Sequence, residues 1–200
     1  PAAAPADESA RPAAAPAPRR PPPVARGCRA SLGASGAAAE FTPSQAVAAG
    51  WCLLNAGRPA EAGIAFDRAL GAPGRVGADA AYGKSLALLQ ANDPKVAAAV
   101  ASQAPLSAQR RGEIGVMALE QRVYDAYNKS DYVGALGLLR QRGGFAVESR
   151  DLTLIRAWSL YQLGKIDDAE RLFRTLDAQM STKETRSGLS AIETKRQRMF

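Results

Sequence analysis

Histidine does not occur anywhere in this chain of 200 residues. Its absence removes the commonest general base and the commonest transition-metal ligand together, so catalysis would have to run on a lysine, a carboxylate or a cysteine. Cysteine is scarce as well. Cys28 and Cys52 form no Cys-x-x-Cys or other ligand spacing, which argues against zinc and against a disulfide framework. Cys28 follows Ala25-Arg26-Gly27, and Arg26 stands where a lipoprotein cleavage site has a small residue, so lipidation is not expected. Aromatic residues make up 6% of a chain that is 46% hydrophobic; the apolar content is mostly alanine, which suits close helix packing better than a deep core. No run approaches the roughly 18 apolar residues of a spanning helix, so no membrane span is expected.

Paired groups for chemistry are also missing. Asp167 and Asp168 are adjacent, and adjacent residues on a helix point about 100° apart; at the start of a helix they complement its dipole instead. Gly143-Gly144 lacks the spacing and the lysine of a phosphate cradle. No nucleophile–base pair stands out, and the expectation is a protein without enzymatic activity, cofactor or metal.

The net charge is +7, which raises nucleic acid as a partner. The basic residues, however, are dispersed. Arg11, Arg19, Arg20, Arg26 and Arg29 lie near the start, while Lys183, Arg186, Lys195, Arg196 and Arg198 lie at the far end, interleaved with Glu184 and Glu193. A nucleic-acid groove concentrates cations on one face among aromatics, so these residues read as solvated ends and nucleic acid is not an expected partner.

What the chain does have is punctuation. Asn55-Ala56-Gly57-Arg58, Ala91-Asn92-Asp93-Pro94, Lys129-Ser130-Asp131-Tyr132 and Leu163-Gly164-Lys165-Ile166 are four short breaks between helical patterns. Each is followed by an alanine: Ala62, Ala97, Ala135 and Ala169, at intervals of 35, 38 and 34 by subtraction. A period near 34 with a helix on each side of a small-residue turn marks a helical-hairpin repeat that buries its apolar face by stacking. Thr42-Pro43-Ser44-Gln45 reads as a capping box, Asp93-Pro94 as a cap followed by proline, and Ser181 with Glu184 as a second box. These marks predict helices at about 43–56, 60–71, 78–91, 94–104, 108–129, 131–142, 149–163, 166–179 and 182–196, four hairpins and one further helix. Residues 1–40 carry eight of the 13 prolines, among alanine, arginine and glycine, and no periodic apolar face. They read as a disordered Ala/Pro-rich linker, with the folded part at 41–200.

Set on a 34-residue frame, the hairpins resemble tetratricopeptide repeats. Ala49-Gly50, Leu53, Gly57, Ala62, Phe66 and Ala69 fall on the family's small pair, large apolar residue, turn glycine, small crossing residue, aromatic and second alanine. Ala157, Leu160, Gly164, Ala169 and Phe173 do the same in the fourth hairpin. The middle two are degenerate: Asn92 takes the turn, where the left-handed conformation suits asparagine, and Ala97, Ala101 and Ala104 leave the second without an aromatic anchor. The resemblance spans about 43–179 and implies an all-α fold, a right-handed superhelical solenoid of about four helix-turn-helix repeats plus a C-terminal helix.

The resemblance also implies a concave groove lined by the first helix of each hairpin. Its inward sites would carry Trp51, Leu86, Tyr124 and Trp158, then Leu54, Leu89, Tyr127 and Tyr161, then Asn55, Gln90, Asn128 and Gln162, with Tyr82 on the same face. The candidate partner-binding residues are therefore Trp51, Asn55, Tyr82, Gln90, Tyr124, Tyr127, Asn128, Trp158, Tyr161 and Gln162. Rigid aromatics supply contact area and amides supply orientation. For Tyr127 and Tyr161, packing between repeats is an equal alternative. The lysine, asparagine and arginine with which some family members clamp an acidic peptide terminus are not reproduced, because Val47, Tyr82, Glu120 and Leu154 stand there.

Two functions follow. The first is a non-catalytic scaffold that binds a protein or peptide segment in the groove. The alternative is a periplasmic repeat domain of a bacterial exopolysaccharide (cellulose-like) secretion apparatus, contacting glycan or export partners. Tyr82-Gly83-Lys84-Ser85-Leu86-Ala87 and Gly188-Leu189-Ser190-Ala191 are similar to first helices of such exporter scaffolds. The second function implies the bacterial periplasm or cell envelope, the first is compatible with the cytoplasm, and end-to-end self-association is open in both.

Overall fold

The computed structural model describes residues 42–144 and 147–198; the expected linker at 1–40 lies outside them. Nine helices and no strand occur among the described residues. They are α1 (Pro43–Asn55), α2 (Pro59–Asp67), α3 (Gly74–Gln90), α4 (Pro94–Gln103), α5 (Ala108–Asn128), α6 (Tyr132–Gly143), α7 (Arg150–Gln162), α8 (Ile166–Gln179) and α9 (Lys183–Gln197). The chain forms two compact units, one ending at Gln121 and the other beginning at Arg122.

In the first unit, α1 packs on α2, α2 on α3, α3 on α4, and α1 also reaches α3. One core lies among α1, α2 and α3 around Leu53, Leu54 and Phe66; another joins α3, α4 and the start of α5 through Leu89, Ala97, Ala101 and Ile114. In the second unit, α6 packs on α7, α7 on α8 and α8 on α9. Its cores gather Val123, Leu139, Leu152 and Ile155 in one place and Trp158, Phe173, Leu176 and Ile192 in another. Within each unit these contacts run chiefly between helices that are neighbours in sequence.

The four breaks share one backbone geometry. Gly57, Asn92, Ser130 and Gly164 have φ of 71°, 62°, 61° and 76°, the left-handed conformation that closes a helix end. The N–H groups of the next residues, Arg58, Asp93, Asp131 and Lys165, donate to the carbonyls of Leu53, Leu88, Ala126 and Leu160 at 2.9–3.0 Å. Those of the left-handed residues themselves donate three positions back, to Leu54, Leu89, Tyr127 and Tyr161. Both bonds of a Schellman motif are thus made at every break, and the orphan carbonyls of α1, α3, α5 and α7 are satisfied. Four residues on from each second N–H come Ala62, Ala97, Ala135 and Ala169, all fully buried.

Helix starts follow side-chain chemistry. The Gln45 N–H donates to the Thr42 hydroxyl at 3.3 Å while the Thr42 N–H donates to Gln45 Oε1 at 2.9 Å, the expected box. Asp93 and Asp131 cap α4 and α6 by accepting from the N–H groups of Val96 and Gly134. The box expected at Ser181 and Glu184 falls one residue later. Thr182 is the cap and Thr185 its reciprocal partner, because the helix begins at Lys183, which puts the Thr185 hydroxyl within reach of the Thr182 N–H. The expected helices over 60–71 and 78–91 are also revised. α2 ends at Asp67 and α3 begins at Gly74, with Pro73 as its cap, since a proline disfavours helical backbone in the residue before it. On α4 the buried stripe is Ala97 and Ala101, one turn apart, while Val96 is 44% exposed.

Two aromatic rings sit where side chains are missing. Phe66 on α2 is fully buried, and a Cβ at Gly50 of α1 or Gly83 of α3 would lie 2.6 or 2.3 Å from its ring. Phe173 on α8 stands in the same relation to Gly188 of α9, at 2.4 Å. Cys52 of α1 is disulfide-bonded, a single bond and not the framework argued against above; Cys28 lies outside the described residues.

Gly83→Ala should therefore destabilise the first unit by about 1–3 kcal/mol through overpacking, although alanine is the better helix former. Gly63→Ala, on α2 with nothing near its added methyl, should instead stabilise by up to about 1 kcal/mol. Urea denaturation of the pair checks this, and equal effects would place Phe66 elsewhere. Ser130 is the one turn residue that is neither glycine nor asparagine, and left-handed backbone costs an L-residue roughly 1–2 kcal/mol. Ser130→Gly should stabilise by up to about 1 kcal/mol after the flexibility of glycine is subtracted, read as a higher denaturation midpoint.

Candidate functional site

The structure separates the candidate binding residues into kinds. In the first unit, Trp51 of α1 is half-buried and packs edge-on against Phe66, ring centres 5.3 Å apart at 77°. Its other neighbour is Tyr82 of α3, at 6.2 Å. The two therefore meet, as one aromatic pair on one surface. Tyr82 is constrained further. Its hydroxyl donates to Glu113 Oε2 at 2.9 Å, and the Arg110 guanidinium lies 4.7 Å from its ring centre while pairing with Asp79 at 2.6 Å. Burial, followed by the hydrogen bond to Glu113, pushes the Tyr82 hydroxyl above the ordinary phenol range. Asn55 and Gln90 are exposed at the ends of α1 and α3, where the side-chain amides are open to a ligand.

In the second unit, Tyr124 and Tyr127 of α5 are half-buried against the core of Val123, Leu139, Leu152 and Ile155. Tyr127 also stacks edge-on with Tyr132, at 5.8 Å. For Tyr127, then, the packing alternative is the observed one. Asn128 is exposed. Trp158 departs from expectation most. It is 3% exposed, wedged between Phe173 at 5.0 Å and Tyr161 at 5.7 Å, and so is a core residue with no surface to offer a partner. The reason is the neighbouring helices: α8 and α9 close over it with Phe173, Leu176 and Ile192.

Tyr161 and Gln162, one turn from Trp158 at the end of α7, remain open. Together with one face of α9 they line a groove of about 750 Å³. The Lys195 ammonium sits 4.7 Å from the Tyr161 ring centre and donates to the Tyr161 carbonyl at 3.4 Å. Lys183, Arg186 and Arg198 share the same wall. Sequence reading treated these cations as a solvated end. The signal it passed over is their register: positions 183, 186, 187, 190, 194 and 198 recur at three and four residues and so fall on one helix face.

Among the described residues, no group of side chains has the arrangement to hold a metal ion, and no helix is long and apolar enough to cross a membrane. No protein-family model matches this chain, and no curated protein and no solved structure is significantly similar to it.

Trp158→Ala should cost on the order of 3–5 kcal/mol of stability, the range for emptying a large aromatic site. Gln162→Ala, at an exposed position, should stay within about 0.5 kcal/mol of the parent. Thermal or urea unfolding followed by circular dichroism distinguishes them, and a mild Trp158→Ala phenotype would return that residue to the surface.

Proposed function

We propose that the chain is a non-catalytic scaffold of tetratricopeptide type that binds a segment of another protein. Support for the repeat reading comes from the four identical Schellman turns and the fully buried alanine that follows each. The observation that carries the binding reading is the open groove beside Tyr161 and Gln162. A helix-lined groove with one rigid aromatic, the Gln162 amide and the hydroxyls of Ser187 and Ser190 can orient a peptide backbone, and none of these groups has to perform chemistry.

The alternative, a domain of an exopolysaccharide secretion apparatus in the bacterial envelope, draws support from a different feature. A disulfide at Cys52 suits an oxidising compartment such as the periplasm. The stretches similar to exporter scaffolds speak for helix packing more than for glycan contact, since Gly83 and Gly188 are the positions on which Phe66 and Phe173 rest. We therefore favour an envelope location with a protein partner.

A photo-crosslinking amino acid placed at Gln162 in the source cell tests the scaffold reading, with the same probe at Arg171 as control. Arg171 lies on α8 with its side chain 77% exposed and does not line the groove. A discrete protein adduct from position 162 and none from 171 is the expected outcome. Glycan adducts alone, or the same adducts from both positions, would sink it.

A further inference from the structure

The groove between α7 and α9 has a charge distribution that the interleaved sequence conceals. Lys183, Arg186, Lys195 and Arg198 all line it, and among the described residues no carboxylate does. The acidic residues of this region are engaged elsewhere. Asp167 and Glu170 of α8 each accept from Arg196 at 2.7 Å, and Glu193 lies on the side of α9 that carries Arg196. Two carboxylates stand near the cations at the start of α9. Asp177 takes the Thr185 hydroxyl at 2.5 Å and feels the charge of Arg186. Glu184, in the first turn, neighbours Lys183. Both keep their negative charge, but neither lines the groove, and the four lining cations outnumber them, so the groove keeps an excess of positive charge. Like charges collected on one wall repel at a cost that a bound anion removes.

Size and polarity narrow the ligand. From residue 183 to residue 198 the wall runs for 15 residues of helix by subtraction, roughly 22 Å at the helical rise. An extended peptide covers that distance in about six or seven residues. Ser187, Ser190 and Thr194 lie between the cations, and with the Gln162 amide they offer hydrogen bonds to a peptide backbone. A single nucleic-acid strand would meet the cations through its phosphates, but its bases also need aromatic faces to stack on. Among the described residues the one lining ring, Tyr161, is already packed against Trp158 and overlaid by Lys195.

We propose that this groove binds an extended protein segment rich in aspartate and glutamate, whose carboxylates meet Lys183, Arg186, Lys195 and Arg198. The assignment rests on the scaffold reading above and adds the chemistry of the partner.

The test uses the full chain and a fluorescein-labelled nonapeptide of alternating glutamate and serine, followed by fluorescence anisotropy. The peptide should bind, should weaken as salt rises toward ionic strengths that screen beyond about 10 Å, and should lose binding when glutamine replaces glutamate. The exposed pair Lys183→Ala and Arg186→Ala should weaken it by about tenfold or more, the product of two modest charge contacts, with helical content unchanged. Arg171→Ala removes the same kind of charge away from the groove and should leave the affinity as it was. An unchanged affinity in the double variant, or an equal loss with Arg171→Ala, would overturn the assignment. So would displacement of the peptide at equal charge concentration by a polyuronate or a single-stranded oligonucleotide. A crosslinked partner at Gln162 that lacks an acidic segment would leave the scaffold standing and remove this inference. Specific peptide binding without any protein adduct in cells would do the reverse.

Discussion

A phenylalanine ring on the second helix of a hairpin fits only because the helices beside it carry glycine. Phe66 lies against Gly50 of its own hairpin and Gly83 of the following one, and Phe173 lies against Gly188. In each case a single methyl group would overlap the ring, so the helices approach at backbone distance and the ring fills the space between them. Alanine does the remaining work. Ala62 and Ala169, at the start of the same second helices, are fully buried, and anything larger would hold the hairpin open. This contact sets how closely α1, α2 and α3 approach in the first unit, and α8 and α9 in the second. The apolar faces can then be mostly alanine and still be buried.

The left-handed residue at each break is the partner constraint. A Schellman closure satisfies the last carbonyls of one helix and places the next residue directly at the start of the following helix. At the second and third breaks that residue is an aspartate, which caps the new helix with its side chain. The chain therefore reverses within three residues, which keeps consecutive helices antiparallel and adjacent. Where no such motif exists, between α2 and α3, the connection is longer and rests on Pro73 and on Gly74 at φ 65°.

These two constraints also sort the aromatic residues into structural and available ones. Trp158, one turn before the Gly164 closure, is overlain by the second helix of its own hairpin and by the helix after it, whereas Trp51, at the equivalent place in the first hairpin, stays half-buried. Tyr161, in the closing turn of α7, borders a groove, whereas Tyr127, at the same place in α5, packs on the core and on Tyr132. Amides in that turn point past the packed region, and so Asn55, Gln90, Asn128 and Gln162 are all exposed. Charge is sorted in the same way: α9 turns one cation, Arg196, toward the carboxylates of α8 and three others toward the groove, joined there by Arg198 at its C-cap.

The turns, the period and the buried alanines were legible in the sequence, because a left-handed residue, a cap and a small crossing residue are local requirements with few residue types that meet them. The exposed amides were legible for the same reason, through their fixed offset from the turn. The ends of α2 and α3 were not, since Pro73 acts as a cap only once the preceding turn has formed. Trp158 and Trp51 occupy equivalent places in the sequence pattern, yet one is core and the other half-buried. That difference depends on which helices come to lie over each ring, a matter of packing between segments distant in sequence. The basic groove was hidden likewise. Lysine, arginine, serine and glutamate alternate along α9, and only the docking of that helix on α7 and α8 decides which of them face the same space.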